Sequence, residues 1–443
     1  MSHFNCIIMG AAGRDFHDFQ TFFRDHSDFR VCCFTAHQIP FIDQRSFPKE
    51  LAGEGYDKDI PIFLEAQLEE LIERFDIDFV FLSYSDLAHE DVMHRACRVQ
   101  AAGPSFCLLG RKHTQLPSDL PVVSVTAVRT GCGKSPVCQA LVQHLSAQGK
   151  RVGVVRHPMP YGDLRKQQVQ CFAEVADLDK HDCTIEEREE YQPYLELGLQ
   201  LFAGVDYAAI FKAAAKDNEV LFWDGGNNDF SFVRPDLSIV LVDALRPGHE
   251  VSFYPGETNL RAADVVVITK VDGAKPEDLE QIRQRVASHA PRAEVIEAIL
   301  RVEPDKPDSI KGKRVLVVED GPTTTHGGMP TGAGYVAATR EGAAEIIDPR
   351  PFATGTMAQA FVDYPHIGPV LPALGYSDEQ LAELTATITA AKADVVVDAS
   401  PARVVAMLEL DVKLVTVRYV FEQRTGTPLQ ELVDRFLAAA ATS

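Results

Sequence analysis

The sequence predicts an α/β protein built from three successive parallel-sheet segments. Apolar strands alternate with amphipathic helices along the whole chain, and many strands end in a Gly-rich or charged turn. One such turn, "AVRTGCGKS", lies between a strand and a helix start. The length of 443 residues leaves room for about three domains of ordinary size.

The first segment, residues 1–111, is expected to be Rossmann-like. "FNCIIMG" is an apolar run into Gly10 and Gly13, and "RVCCFTA", "IDFVFLSYSD" and "FCLLG" read as later strands. "AQLEELIERF" and "HEDVMHRACRVQAAG" read as the helices between them. "MGAAGRD" lacks the third glycine of a dinucleotide fingerprint, and "FTAHQIP" supplies no acidic residue after the second strand. A Rossmann-like sheet is therefore expected without NAD. "RKHTQLPSDLP", polar and with two prolines, reads as a linker.

The middle segment, 120–310, opens on the strand "PVVSVTA" and its Gly-rich loop. Gly131 and Gly133 permit the tight curvature that lets the N–H groups of Thr130, Gly131, Gly133 and Lys134 converge on a phosphate. The helix that follows adds its positive end, and Pro136 is tolerated in its first turn. Lys134 is expected to bridge the β- and γ-phosphates and Ser135 to ligate Mg²⁺. Val128 takes the place of the usual first glycine. Arg129 and Cys132 complete the nucleotide-binding loop, and no catalytic role falls to the Cys132 thiol. The strand "EVLFWD" ends in Asp224, the position of a Walker B carboxylate that holds Mg²⁺ through water. Asn227, Asn228 and Asp229 are weaker candidates for the same pocket. These features make the segment a doubly wound P-loop NTPase domain. After "ADVVVI", Thr269-Lys270-Val271-Asp272 matches the tetrad in which an Asp reads guanine, so Lys270 and Asp272 keep GTP open beside ATP. Thr184 and Glu187 are spaced as a capping box.

The third segment, 311–443, repeats the α/β pattern with "RVLVVEDGP", "ADVVVDASP" and "VKLVTVRYV". Three strand-end loops concentrate anion-binding residue types. "VVRHPMPYGDLRKQ" carries Arg156, His157, Arg165 and Lys166, and "DALRPGHEVSFYPGETNLR" carries Arg246, His249 and Arg261. "EDGPTTTHGGMPTGAG" carries His326 among threonines and glycines. Together with the P-loop they point to a second, anionic ligand.

The bulk composition excludes several functions. A net charge of −21 leaves no basic surface for nucleic acid. No run of about 18 apolar residues is present to span a membrane. The opening "MSHFNCIIMG" reads as a first strand rather than a signal peptide. Nine unpatterned cysteines fit a reducing compartment, so the cytoplasm is expected.

"MGAAGRDFHDF", "AVRTGCGKS", "VVRHPMPYGDL", "CTIEEREEY", "WDGGNNDF", "RPGHE", "YPGETNLR", "TKVD" and "EDGPTTTHGGMPTGAG", in this order, resemble the cyclic 2,3-diphosphoglycerate synthetase family. The resemblance spans nearly the whole chain. It implies ATP-dependent closure of 2,3-diphosphoglycerate to a cyclic pyrophosphate, with release of ADP and phosphate, by a homodimer. It implies Lys134 with Mg²⁺, held by Ser135 and Asp224, at the phosphoryl transfer. Arg156, His157, Arg246, His249 and His326 would hold the substrate phosphates, with Arg261 in the same loop set. Arg129 stands where relatives in this P-loop branch carry a signature lysine. The competing expectation is a GTPase or ATPase that drives maturation or assembly of a protein client. A third is a nucleotide sensor that turns over negligibly.

Overall fold

The computed structural model describes residues 3–10, 13–36, 45–157, 163–226, 229–325, 327–374, 377–401, 403–408 and 410–440. His326, Asn227, Asn228 and the "PMPYG" stretch lie outside the described residues. The chain divides into two compact units. One comprises Met1–Phe172, Leu199–Glu297 and Gln423–Ser443, the other Ala173–Gly198 and Ala298–Glu422.

The first unit begins with strands β1 (Phe4–Met9), β2 (Phe29–Ala36), β3 (Ser46–Phe47), β4 (Ile60–Leu64), β5 (Phe79–Leu82), β6 (Leu87–Ala88) and β7 (Ser105–Cys107). Six of them form a sheet in the order β3-β4-β2-β1-β5-β7, parallel except at β3. The last four residues of β1 are buried, as a parallel strand covered on both faces requires. The chain steps from β1 out to β2 and β4, then crosses back to β5. The crevice between the carboxyl ends of β1 and β5 is therefore a topological switch point.

The same unit continues with β8 (Val122–Ala127), β9 (Val152–Arg156), β10 (Gln170–Phe172), β11 (Gln200–Ala203), β12 (Val220–Asp224), β13 (Leu237–Asp243), β14 (Phe253–Tyr254), β15 (Val265–Thr269) and the start of β16 (Glu294–Pro304). They run β10-β11-β9-β12-β8-β13-β15-β16, with β10 antiparallel. Every residue of β8, β12, β13 and β15 is buried. β14 leaves this sheet to pair with β6, joining the β5 side of the first sheet to the second.

In the second unit, β17 (Arg314–Glu319), β18 (Glu345–Ile346), β19 (Leu371–Pro372), β20 (Val395–Asp398) and β21 (Lys413–Thr425) form a parallel sheet. β20 lies between β17 and β21, while β18 and β19 share the other edge of β17. The capping box forms as spaced: Thr184 Oγ1 accepts from the Glu187 N–H and the Glu187 carboxylate from the Thr184 N–H. The mixed α/β architecture with parallel sheets is thus the one the alternating pattern predicts.

Candidate functional site

The P-loop leaves β8 at Ala127 and enters the helix Lys134–Ala147. Gly131 and Gly133 take φ of +80° and +96°, conformations that cost other residues strain. Val128 fits because the close approach is met from the opposite side. A Cβ on Gly256 would stand 2.1 Å from the Val128 carbonyl oxygen.

Three outward carbonyls of the loop are held by side chains. Arg246 donates to Thr130 O at 2.6 Å, Lys270 to Gly131 O at 2.8 Å, and the Thr269 hydroxyl to Cys132 O at 2.8 Å. Asp243, buried at the end of β13, ties two of these donors together. It accepts from Arg246 Nε at 3.0 Å and from Lys270 Nζ at 2.8 Å. Burial alone raises a carboxyl pKa, but here Lys270 and Arg246 hold Asp243 below the ordinary range. With these carbonyls held, the Gly131 and Gly133 N–H groups can turn toward a phosphate, while the Thr130 N–H is directed to Asp86. Burial lowers the Lys134 ammonium and raises the Cys132 thiol, which leaves that thiol protonated and unreactive. Lys270 thus rests on the loop backbone, and Asp272 is exposed.

Arg129 turns toward the first sheet. Its Nε donates to Asp86 at 2.5 Å, and its guanidinium lies 3.6 Å over the Phe253 ring. Asp86 also accepts from the Thr130 N–H at 3.4 Å. The remaining Arg129 contact is with His249 Nδ1 at 2.7 Å. Burial and the Arg129 and Arg246 charges push His249 down to about 4, so it is neutral and accepts this bond.

At the neighbouring strand ends, Arg156 pairs with Asp224 and His157 with Asp229. All four are buried. Gly226 makes room for the imidazole, since a Cβ there would meet His157 Cβ at 2.8 Å. Asp229 also faces Arg14, at the start of the helix Arg14–Asp18 after β1, at 3.9 Å. Arg261 pairs with Glu257 on its own helix surface at 2.6 Å, and Arg165 with Glu50 at 3.1 Å.

The "EDGPTTTHGGMPTGAG" turn lies in the second unit. Its N–H groups at Gly332, Gly334 and Tyr335 donate to the Glu319 carboxylate at 3.0, 3.2 and 2.8 Å. A carboxylate of the chain itself thus takes the donors that the Gly-rich sequence offers to an anion. Burial pushes Glu319 up to about 7.

Around the P-loop, the structure gathers Arg129, Thr130, Gly131, Cys132, Gly133, Lys134, Ser135, Arg246, His249 and Lys270. Arg156, His157 and Asp224 stand at the adjoining ends of β9 and β12. Asp86, Asp243 and Arg14 escaped the sequence reading. Asp86 and Asp243 follow or end apolar strands, the same signal that pointed to Asp224.

Comparison with known proteins follows this geometry. A profile of the P-loop domain of cyclic 2,3-diphosphoglycerate synthetase matches residues 198–299. The arginine synthetase ArcE of Thermococcus kodakarensis is 53% identical over 430 residues, 97% of this chain and 96% of that protein. The cyclic 2,3-diphosphoglycerate synthetase of Thermococcus gammatolerans is 31% identical over 121 residues, 27% of each chain. A tetraacyldisaccharide 4'-kinase of Anaeromyxobacter sp. is 27% identical over 255 residues, 52% of this chain and 63% of that one. The likeness to the arginine synthetase runs the length of both chains, and the P-loop likeness extends to the diphosphoglycerate enzymes. The chain belongs to this family of P-loop enzymes of ligase type, which joins the arginine synthetase to the cyclic 2,3-diphosphoglycerate synthetases.

Proposed function

We propose that this chain is an ATP-dependent ligase that completes a guanidino group, with arginine as its product. The observation that carries this reading is that the cations of the strand-end loops already face carboxylates of the chain. Arg129 is paired with Asp86, Arg156 with Asp224, His157 with Asp229, and Arg246 and Lys270 with Asp243. A bisphosphorylated acid needs a surplus of cations, whereas an amino acid carries both signs itself. The full-length likeness to the arginine synthetase supports the same choice.

The chemistry follows from the product. A guanidino carbon has the oxidation state of a urea, so the task of ATP is to turn a ureido oxygen into a leaving group. The ureido oxygen attacks the γ-phosphorus, and the bond from that phosphorus to ADP breaks. A nitrogen nucleophile then adds to the activated carbon, and phosphate leaves. The N–H groups of Gly131, Gly133 and Lys134, with the Lys134 ammonium, hold the phosphates in line. His157, oriented by Asp229, takes the proton that the nitrogen sheds. The oxygen donors Ser135 and Asp224 fit Mg²⁺, which when bound with the nucleotide neutralises charge on the transferred phosphoryl group. ATP is the expected nucleotide, with GTP as the comparison.

A second reading, cyclisation of 2,3-diphosphoglycerate, draws on the match of residues 198–299 to the P-loop domain of those synthetases. One experiment separates the two. Purified protein receives Mg-ATP, and separately Mg-GTP, with either L-citrulline and ammonium chloride or 2,3-diphosphoglycerate. ³¹P NMR and amino-acid analysis follow the products, and Lys134→Ala is the blank. Arginine formed in step with phosphate is the expected result. A new pyrophosphate resonance from 2,3-diphosphoglycerate would transfer the assignment to the second reading. Phosphate release that ignores both substrates would sink both and point to a protein client.

A further inference from the structure

At the switch point of the first sheet, charged and buried groups of that sheet meet groups from the end of the nucleotide sheet. From the short helix Arg14–Asp18 after β1 come Arg14 and Asp18, from the end of β5 Ser83, and from the loop after β12 Asp229. Arg14 and Asp229 are 3% and 1% exposed. Arg14 donates from Nη2 to the Tyr254 hydroxyl at 3.0 Å, its Nε lies 3.6 Å from Asp18, and its guanidinium lies over the Phe230 ring. Asp18 accepts from the Ser83 hydroxyl at 2.8 Å. Asp229 holds His157 through one oxygen.

One pair of atoms stands out. Arg14 Nη1 and Asp229 Oδ1 face each other at 3.9 Å, too far for a hydrogen bond. Among the described residues neither has a hydrogen-bond partner. Buried charged atoms in native proteins are seldom left so, and an acceptor and a donor side by side invite a ligand that carries the complementary pair. Thr35 Oγ1, at the adjacent end of β2, is also buried without a hydrogen-bond partner.

We propose that this separated ion pair is the subsite for the backbone of an α-amino-acid substrate. The inference rests on the ligase reading above and adds where the amino acid is held. Its ammonium seats on Asp229 Oδ1 and its carboxylate on Arg14 Nη1, so that each charge of the zwitterion meets its opposite. A zwitterion entering between the two leaves the charge balance unchanged, which a phosphate or a lone amine does not. Asp229 links this subsite to His157, which directly follows the Arg156 that holds Asp224. Arg14 and Asp229 thereby grip the end of the substrate that does not react, and the phosphate loop acts on the other end.

The test is calorimetric titration of the full chain with L-arginine and with agmatine, which keeps the guanidino chain and lacks the carboxylate. Wild type is expected to bind L-arginine at least tenfold more tightly than agmatine. Arg14→Gln is expected to bring arginine down to the agmatine level and leave agmatine unchanged, while Asp229→Asn weakens arginine at least tenfold. Gly55→Ala, where a Cβ would meet nothing within 4 Å, should bind arginine as wild type does. Melting temperature and fluorescent-ADP binding check that each variant is folded, and the comparison of the two ligands on wild type needs no variant. Equal binding of arginine and agmatine by wild type would overturn the proposal, as would a folded Arg14→Gln protein with wild-type arginine affinity. If either occurs while wild type still forms arginine from L-citrulline, the subsite fails and the ligase reading stands. If wild type neither forms nor binds arginine, both fall.

Discussion

Lys270 offers the sharpest test of how this P-loop is built. Its position in a Thr-Lys-Val-Asp tetrad points to a guanine reader, whereas in the fold its ammonium lies 2.8 Å from both Gly131 O and Asp243 Oδ2. Lys270→Met keeps the aliphatic stem and removes only the charge. The backbone is at φ +59°, a cost that lysine and methionine share, so strain does not change. Two hydrogen bonds to or from charged groups are lost, each worth about 1.5–3 kcal/mol. Asp243 retains Arg246 and the Leu245 N–H, so it is not orphaned. The expected loss of stability is therefore about 3 kcal/mol, near the sum of the two lower bounds. With the Gly131 carbonyl released, nucleotide affinity should fall about tenfold, or ~1.4 kcal/mol. That fall should be the same for ATP and GTP, because the contact is to backbone and blind to the base. Urea unfolding gives the first quantity, and competition against a fluorescent nucleotide gives the second. Loss of GTP binding with ATP untouched would return Lys270 to base reading. Unchanged stability would refute the tie to Asp243.

Gly256→Ala should damage the P-loop from outside it, because the new Cβ would stand 2.1 Å from Val128 O. Overpacking of this kind costs about 1–3 kcal/mol, and nucleotide binding should weaken with it. Gly55→Ala, with nothing within 4 Å, is the control, and equal effects from the two would refute the packing argument. His17 should make the protein acid-sensitive. Its ring stacks on Phe232 at 3.9 Å, donates to Thr114 O at 2.6 Å, and is pushed by burial down to about 3. The folded state keeps it neutral, while the unfolded chain protonates it below the ordinary pKa of about 6.5. Its contribution is thus complete above that value and is lost as pH falls toward 3. Between pH 6.5 and 5 the loss is about 2 kcal/mol. Urea midpoints at pH 7 and pH 5 should show His17→Asn losing that much less than wild type, and equal slopes would refute the assignment.

The strands were legible because a parallel strand buried on both faces is written as a continuous apolar run, as in "VVVIT" at β15. The phosphate loop was legible because its curvature demands glycines next to one another in sequence. What lay beyond reading was each partner that arrives from elsewhere in the chain. The glycine that compensates for Val128 is Gly256, on another helix. The carboxylate that holds Arg129 is 43 residues earlier, and the lysine on Gly131 O is 139 residues later. Cations at strand ends announced themselves one by one as anion binders. Their acids were equally visible, but only the fold shows that they are neighbours.

Those acids decide which ligand the site accepts. Asp224 serves the nucleotide under either reading, so the difference lies in the cations. To hold a phosphate of 2,3-diphosphoglycerate, His157 must leave Asp229, a carboxylate 1% exposed at the side chain. Removing the partner of a buried carboxylate costs about 3–5 kcal/mol, and the low end applies here because Arg14 remains near Asp229. That exchange costs about 3 kcal/mol, more than a third of the ~8 kcal/mol that a micromolar ligand gains in all. A zwitterion placed across Arg14 and Asp229 asks for no such exchange. It meets a guanidinium and a carboxylate that already stand apart, and it leaves His157 on Asp229, poised to take a proton. A site where a guanidinium and a carboxylate stand apart selects for a ligand whose own charges cancel.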